Sequence, residues 1–335
     1  MRLSTGNVFG SSRKDFIIFV VPVLLATLFA YVSQGVGPAE APALYYPALV
    51  FLFDTPHLVC GFWVMLGRTA TPTPLQIKLW AILLFLAISF TWLLWSGYEE
   101  YAITFMGLVS IWHFIKQHQA WFFLAMRGDT TQSVWFSRIN RLGIWSVTWG
   151  FFLVGQCSSE RIGWYEINDI FLLPEEIKIF LLSLVLSASA VYMVYHAHHI
   201  YRNKIIPISG HLIWLTAVVV WGCSRLMDNS YLTPALIIIP HTVAYMYLLQ
   251  RFVKAVDRPA RVWVLWTTYL AGAAWQGYRY LPLVLGQERF QPDWDHVLIM
   301  TITAGHFLHD KLHWNSVDNP GWGRAVGRVD STRVV

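Results

Sequence analysis

Apolar residues in this chain come in long runs divided by short charged or proline-containing stretches. Counted between that punctuation, ten runs stand at about 16–34, 44–67, 77–97, 101–126, 142–157, 177–200, 209–227, 231–250, 262–285 and 295–314. Most approach or exceed the roughly 18 residues that an α-helix needs to cross about 30 Å of hydrocarbon. The first run exceeds the apolar core of about 7 to 15 residues in a signal peptide, so it reads as a retained helix. The fifth run is short and the third-to-fourth link is tight, which leaves nine helices as the alternative to ten. The expected fold is all-α: a polytopic transmembrane helical bundle forming one integral membrane domain over 1–335. About 16–314 would be membrane-embedded, and 315–335 would be a polar cytoplasmic tail.

Charge alternates from loop to loop. Arg13 and Lys14 precede the first run, Arg68 and Lys78 flank the loop after the second, and Arg127, Arg138 and Arg141 follow the fourth. Arg202 and Lys204 follow the sixth, Arg251, Lys254, Arg258 and Arg261 the eighth, and Arg324, Arg328 and Arg333 occupy the tail. The intervening loops are acidic, with Glu99 and Glu100, then Glu160 to Glu176, then Glu288, Asp293 and Asp295. Basic residues stay on the cytoplasmic side, so both termini are expected there, and the setting expected is a bacterial inner membrane. The loop at 157–176, with E-I-N-D-I-F-L-L, suits a short interfacial helix on the outer face.

Composition agrees with this picture: 56% of the 335 residues are hydrophobic and only 13% charged, outside the soluble range. The net charge of +5 is the cytoplasmic-loop excess and not a nucleic-acid footprint. Cys60, Cys157 and Cys223 are odd in number and far apart, which excludes a disulfide framework and a C-x-x-C zinc site. No fixed-period repeat or low-complexity tract is present.

The chemistry lies in the histidines. Ten of the twelve fall on even-numbered runs: His57, His113, His118, His196, His198, His199, His241, His306, His309 and His313. His57 precedes Arg68 by 11 positions, His118 precedes Arg127 by 9 and His241 precedes Arg251 by 10. At about 1.5 Å per residue these share one depth, on the cytoplasmic side of the midplane. In G-H-F-L-H-D-K-L-H-W, His306, His309, Asp310 and His313 form one helix stripe. A lone membrane histidine is more often a hydrogen-bonded interhelical residue than a ligand. Repetition at one depth on five runs is accounted for by a shared metal site. The candidate ligands are His57, His113, His118, His196, His199, His241, His306, His309 and His313, with one of His113 and His118 in an outer role because they point about 140° apart. Asp54, three before His57, orients it, binds metal or stabilises the kink at Pro56. Tyr245 falls on the face of His241, and Asp310 is a second carboxylate candidate.

On these boxes the chain resembles the histidine-box membrane di-iron proteins, the fatty-acid desaturase and hydroxylase superfamily. His113 and His118 match the first box as H-x4-H; His196, His198 and His199 approximate the second as H-x-H-H; His306 and His309 form H-x2-H without the doubled final histidine. It also looks somewhat like the polytopic bacterial carotenoid-cleaving oxygenases, which scatter single histidines over several helices. The chain departs from the former group in having about ten spans and in the isolated His57 and His241. The resemblance implies two non-haem iron ions and an oxidoreductase that uses dioxygen to hydroxylate, desaturate or cleave a lipid or isoprenoid. It further implies electrons from an external reductase or ferredoxin.

Zinc and copper remain alternative metals, because imidazole suits all three. Three other functions stay open: a proton- or metal-coupled transporter with histidine relays, a zinc-dependent lipid hydrolase and a haem protein with paired axial histidines. Substrate and oligomeric state are not readable.

Overall fold

The computed structural model describes residues 2–3, 7–34, 50–66, 74–126, 133–157, 173–223, 232–256, 261–284 and 293–313. Among these, each of the ten apolar runs is a helix: α1 (12–34), α2 (50–66), α3 (Pro74–Trp95), α4 (Glu99–Met126), α5 (134–155), α6 (175–203), α7 (208–223), α8 (Leu232–Val256), α9 (Arg261–Val284) and α10 (Asp293–His313). The fold is all-α. Arg2–Leu3 and Ile205–Ile206 add a two-residue parallel pair, the only strands among the described residues. The interfacial helix expected at 157–176 falls largely outside the described residues.

One helix begins well before its apolar run. Helix α5 starts at Val134, eight residues ahead of 142, with Ser133 Oγ accepting the Phe136 amide at 3.1 Å as its N-cap. This first stretch is amphipathic: Phe136, Asn140, Gly143 and Ile144 are buried on one face, while Arg138 and Arg141 occupy others. Charges that punctuate the sequence thus lie inside the helix.

Among the described residues four helices contain a π-helical turn, at Phe16–Val20 in α1, Val50–Asp54 in α2, Ser146–Gly150 in α5 and Val218–Cys223 in α7. Such turns insert one residue into the i→i−4 ladder and re-aim the side chains after it. Between α3 and α4 the chain turns at Gly97, whose φ of 78° is the left-handed conformation that glycine adopts without a Cβ clash. The Tyr98 amide closes this end by donating to Leu93 O at 2.9 Å.

Two helical segments, Glu175–Asn203 and Ala235–Lys254, are long and apolar enough to cross a membrane. Trp80–Trp95, Ile208–Gly222 and Val297–Phe307 are shorter apolar helices.

The chain divides into two compact units, and the division passes through α4 between Ser110 and Ile111 and through α8 between His241 and Thr242. In the first unit, residues 1–31 and 111–241, the rings of Phe9, Phe19 and Trp121 meet at 5.4 to 5.7 Å. The buried Asp15 carboxylate accepts the Val8 and Phe9 amides, both at 2.9 Å, and ties down the entry to α1. Helix α6 packs along α5; Tyr192 stacks on Trp214 with centroids 4.7 Å apart, and the Trp214 indole donates to Gly143 O at 3.1 Å. In the second unit, residues 32–110 and 242–335, α2 packs against α9 and α10, and α10 against α3. Phe90, Ala102, Met106, Val297, Ala304 and Phe307 form its apolar core.

Candidate metal centre

The centre starts from a proline. Pro56 in α2 has no amide hydrogen, so it leaves the carbonyl of Leu52 without its usual helical donor; the Tyr269 hydroxyl of α9 donates to that oxygen instead. One residue on, Phe53 O lies 3.0 Å from His57 Nδ1 and accepts from Thr242 Oγ1 at 3.1 Å. A carbonyl only accepts, so His57 carries its proton on Nδ1 and keeps the lone pair on Nε2. This is the tautomer of a metal ligand whose second nitrogen is fixed by the protein. Asp54, 31% exposed, has an oxygen 3.9 Å from His57 Nδ1, a distance for orienting charge and not for a hydrogen bond.

His306 of α10 meets His57 edge to face at 5.1 Å between centroids. Tyr245 of α8 packs at 4.8 Å from His306 and 5.7 Å from His57. Gly61, one turn beyond His57, makes room for both: a Cβ there would stand 2.5 Å from His306 Nδ1 and 2.7 Å from Tyr245 Oη. Any side chain at 61 would push this corner apart.

His241 directly precedes Thr242 on α8. One ring nitrogen from each of His57, His241 and His306 lies within 4.8 Å of the others, and none of the three residues is more than 3% exposed. Nitrogens at about 2.0–2.1 Å from a common ion stand no more than about 4.2 Å apart, so a small ring rotation brings these three onto one metal. The donor set, three buried imidazoles with one carboxylate and one phenol beside them, fits iron, zinc or copper. Among the described residues this is the only group of three or more histidine, cysteine or acidic side chains with donors so close.

The other expected ligands lie as follows. His113 is buried on α4 with its ring 5.1 Å from that of His241; Gln117, one turn on, is buried too. His118 faces elsewhere, half-buried, at 6.3 Å from the Trp221 ring. His196 and His199 are buried in a second group, with His211 and Tyr192, while His198 is exposed. Helix α10 runs on through His309, Asp310 and His313, whose side chains lie outside the described residues.

Four contributors to these groups carry little or no signal in the sequence. Thr242 and the Phe53 carbonyl carry no motif at all. Gly61 had a faint one, a residue without a side chain four positions after a candidate ligand and so on the same helix face. His211 stands alone on an odd-numbered run, with no histidine at ligand spacing beside it.

The chain matches no family model, no curated protein and no solved structure.

Proposed function

We propose that this chain is a polytopic integral membrane oxidoreductase. On this reading a non-haem metal ion held by His57, His241 and His306 serves the oxidation of a lipid or other apolar molecule by dioxygen. The observation that carries the reading is the convergence of three buried imidazole nitrogens within 4.8 Å. Iron is the metal implied by the resemblance to histidine-box proteins, and zinc and copper suit the same donors. When bound, such an ion supplies dioxygen activation, and the electrons come from an external reductase or ferredoxin.

The chain's own residues have separable roles. Phe53 O and Thr242 fix the His57 ring, and Asp54 lies where its charge favours the imidazole donating on Nδ1. Tyr245 seats His306 against the Gly61 notch. Burial of all three rings keeps water from the reacting groups.

Membrane embedding is supported by what the helices leave uncovered. In α6, Ile179, Phe180, Leu184, Leu186, Val191, Met193 and Val194 are each at least 47% exposed, and only 11% of its apolar stretch is buried. In the second unit Leu84, Phe85, Ile88, Trp92 and Leu270 are each at least 60% exposed. Continuous apolar surface of this kind is compatible with hydrocarbon and not with water. The loop charges then put both termini in the cytoplasm and the histidine layer toward that face.

The test is elemental analysis of protein purified in detergent, with His57→Ala and His306→Ala beside the parent. Metal in the parent, lost from both variants with membrane insertion retained, is the expected result. Undiminished metal in both variants removes the centre. Zinc in place of a redox metal turns the reading toward hydrolysis.

A further inference from the structure

The first unit carries an outward-facing strip that is basic and aromatic at once. In α5 the positions Val134, Arg138, Arg141 and Trp145 follow one another at intervals of four, three and four, and all are exposed. That spacing is one helix face. Trp135 and Leu142 flank it at 63% and 43% exposure, and the Arg138 guanidinium lies over the Trp135 ring at 5.4 Å. Lys116 of α4, exposed as well, places its Nζ 5.5 Å from the centre of the Trp145 ring. Lys116 precedes the end of α4 at Met126 by 10 residues, and Trp145 follows the start of α5 at Val134 by 11. At about 1.5 Å per residue both stand roughly 15 Å from those helix ends. Arg138, Arg141 and Lys116 thus climb one strip from the amphipathic start of α5 into its apolar run.

Lys116 is set in place from within the protein. Its ammonium donates to Gln119 Oε1 at 3.4 Å, and the buried Gln119 donates through Nε2 to Thr148 Oγ1 at 3.2 Å. Thr148 in turn donates to Ile144 O at 2.7 Å. An ammonium has three donors, so this anchor leaves Lys116 two for a ligand outside. No acidic residue stands in α5, and none in α4 after Glu100. Helix α6, which packs along α5, has its acids at the far end, Glu175 and Glu176. A cation at the level of the membrane is costly without a counter-charge, and these three helices supply none.

We propose that Lys116, Arg138 and Arg141 bind the phosphodiester head group of an anionic phospholipid, whose acyl chains lie against Leu142 and Trp145. Charge complementarity selects the head group: a zwitterionic lipid brings a cation of its own, which these three repel. The apolar and aromatic residues between the cations select a lipid over a free phosphate, because they offer a surface that only acyl chains cover. The assignment rests on the membrane embedding proposed above and is independent of the metal chemistry.

Native mass spectrometry of the full-length protein in detergent, titrated with phosphatidylglycerol or with phosphatidylcholine, tests this. The parent binds phosphatidylglycerol more tightly. Lys116→Gln, Arg138→Gln and Arg141→Gln each lower that affinity about fivefold, and the triple variant lowers it about 100-fold, with phosphatidylcholine binding unchanged. Lys14→Gln and Arg202→Gln, at exposed cations elsewhere in the same unit, stay within about twofold of the parent. Equal affinity of the parent for the two lipids overturns the assignment, as does parental affinity in the triple variant. Losses in Lys14→Gln and Arg202→Gln as large as those at the strip overturn it too, in favour of diffuse surface charge, and displacement of the lipid by millimolar glycerol phosphate does so in favour of a soluble ligand. Carbonate extraction of parent membranes reads the embedding separately. Release of the protein removes the membrane reading and this assignment with it; retention without a lipid preference removes this assignment alone.

Discussion

The two histidine groups are built from the same side chain and differ in what anchors it. His57 is fixed by a main-chain carbonyl, Phe53 O, within a π-helical turn. His196, His199 and His211 are held by Asn140, Asn203 and Tyr192. A carbonyl in a helix does not swing, whereas an amide or phenol rotates about its own side-chain bonds. The first anchor is fixed by the fold itself; the second leaves the rings more freedom. Only the first group brings one ring nitrogen from each of three histidines within 4.8 Å of the others.

The contrast can be broken most forcefully at the centre. His306→Ala removes a donor that is fully buried, and activity toward an apolar substrate is expected to fall by about 100-fold or more; activity within threefold of the parent would detach His306 from the chemistry. Gly61→Ala comes next. Its methyl would meet His306 Nδ1 and Tyr245 Oη at 2.5 and 2.7 Å, so the expectation is at least a tenfold loss of metal affinity and about 1–3 kcal/mol of stability. A variant that melts and binds like the parent would mean that the notch plays no part.

Smaller effects sharpen the comparison. Asn140→Ala leaves His196 without its 2.7 Å partner and should cost about 1–3 kcal/mol in denaturant unfolding, with turnover unchanged; a loss of turnover would merge the two groups into one function. Tyr269→Phe deletes the hydroxyl that serves Leu52 O. It should cost only about 0.5–1.5 kcal/mol, with a modest fall in metal affinity as the turn before His57 loosens. A melting curve and a metal titration superimposable on the parent's would show that Pro56 needs no such support.

Helices α6 and α8 make a second pair. Both contain a segment long and apolar enough to cross a membrane, yet 11% of the first segment is buried and 78% of the second. Hydropathy registers the solvent that a helix avoids and not the neighbour it finds. That is why α8 carries His241, Thr242 and Tyr245 in protein surroundings while much of α6 presents bare apolar residues.

Sequence by itself determined the helices. Among the described residues each of the ten apolar runs is a helix, and the departures, such as the early start of α5 at Val134, arise where a charged face lies inside an amphipathic turn. It also determined which side chains share a face: His196 and His199 are buried together while His198 is exposed, as a period of 3.6 residues requires. Tertiary structure decided the company each histidine keeps. Distance along a helix follows from a fixed rise per residue, but which helices are neighbours, and how each is turned about its own axis, follow from packing over the whole chain. The grouping of His57 with His241 and His306, the pairing of His196 with an overlooked His211, and the notch at Gly61 all belong to that second kind of information.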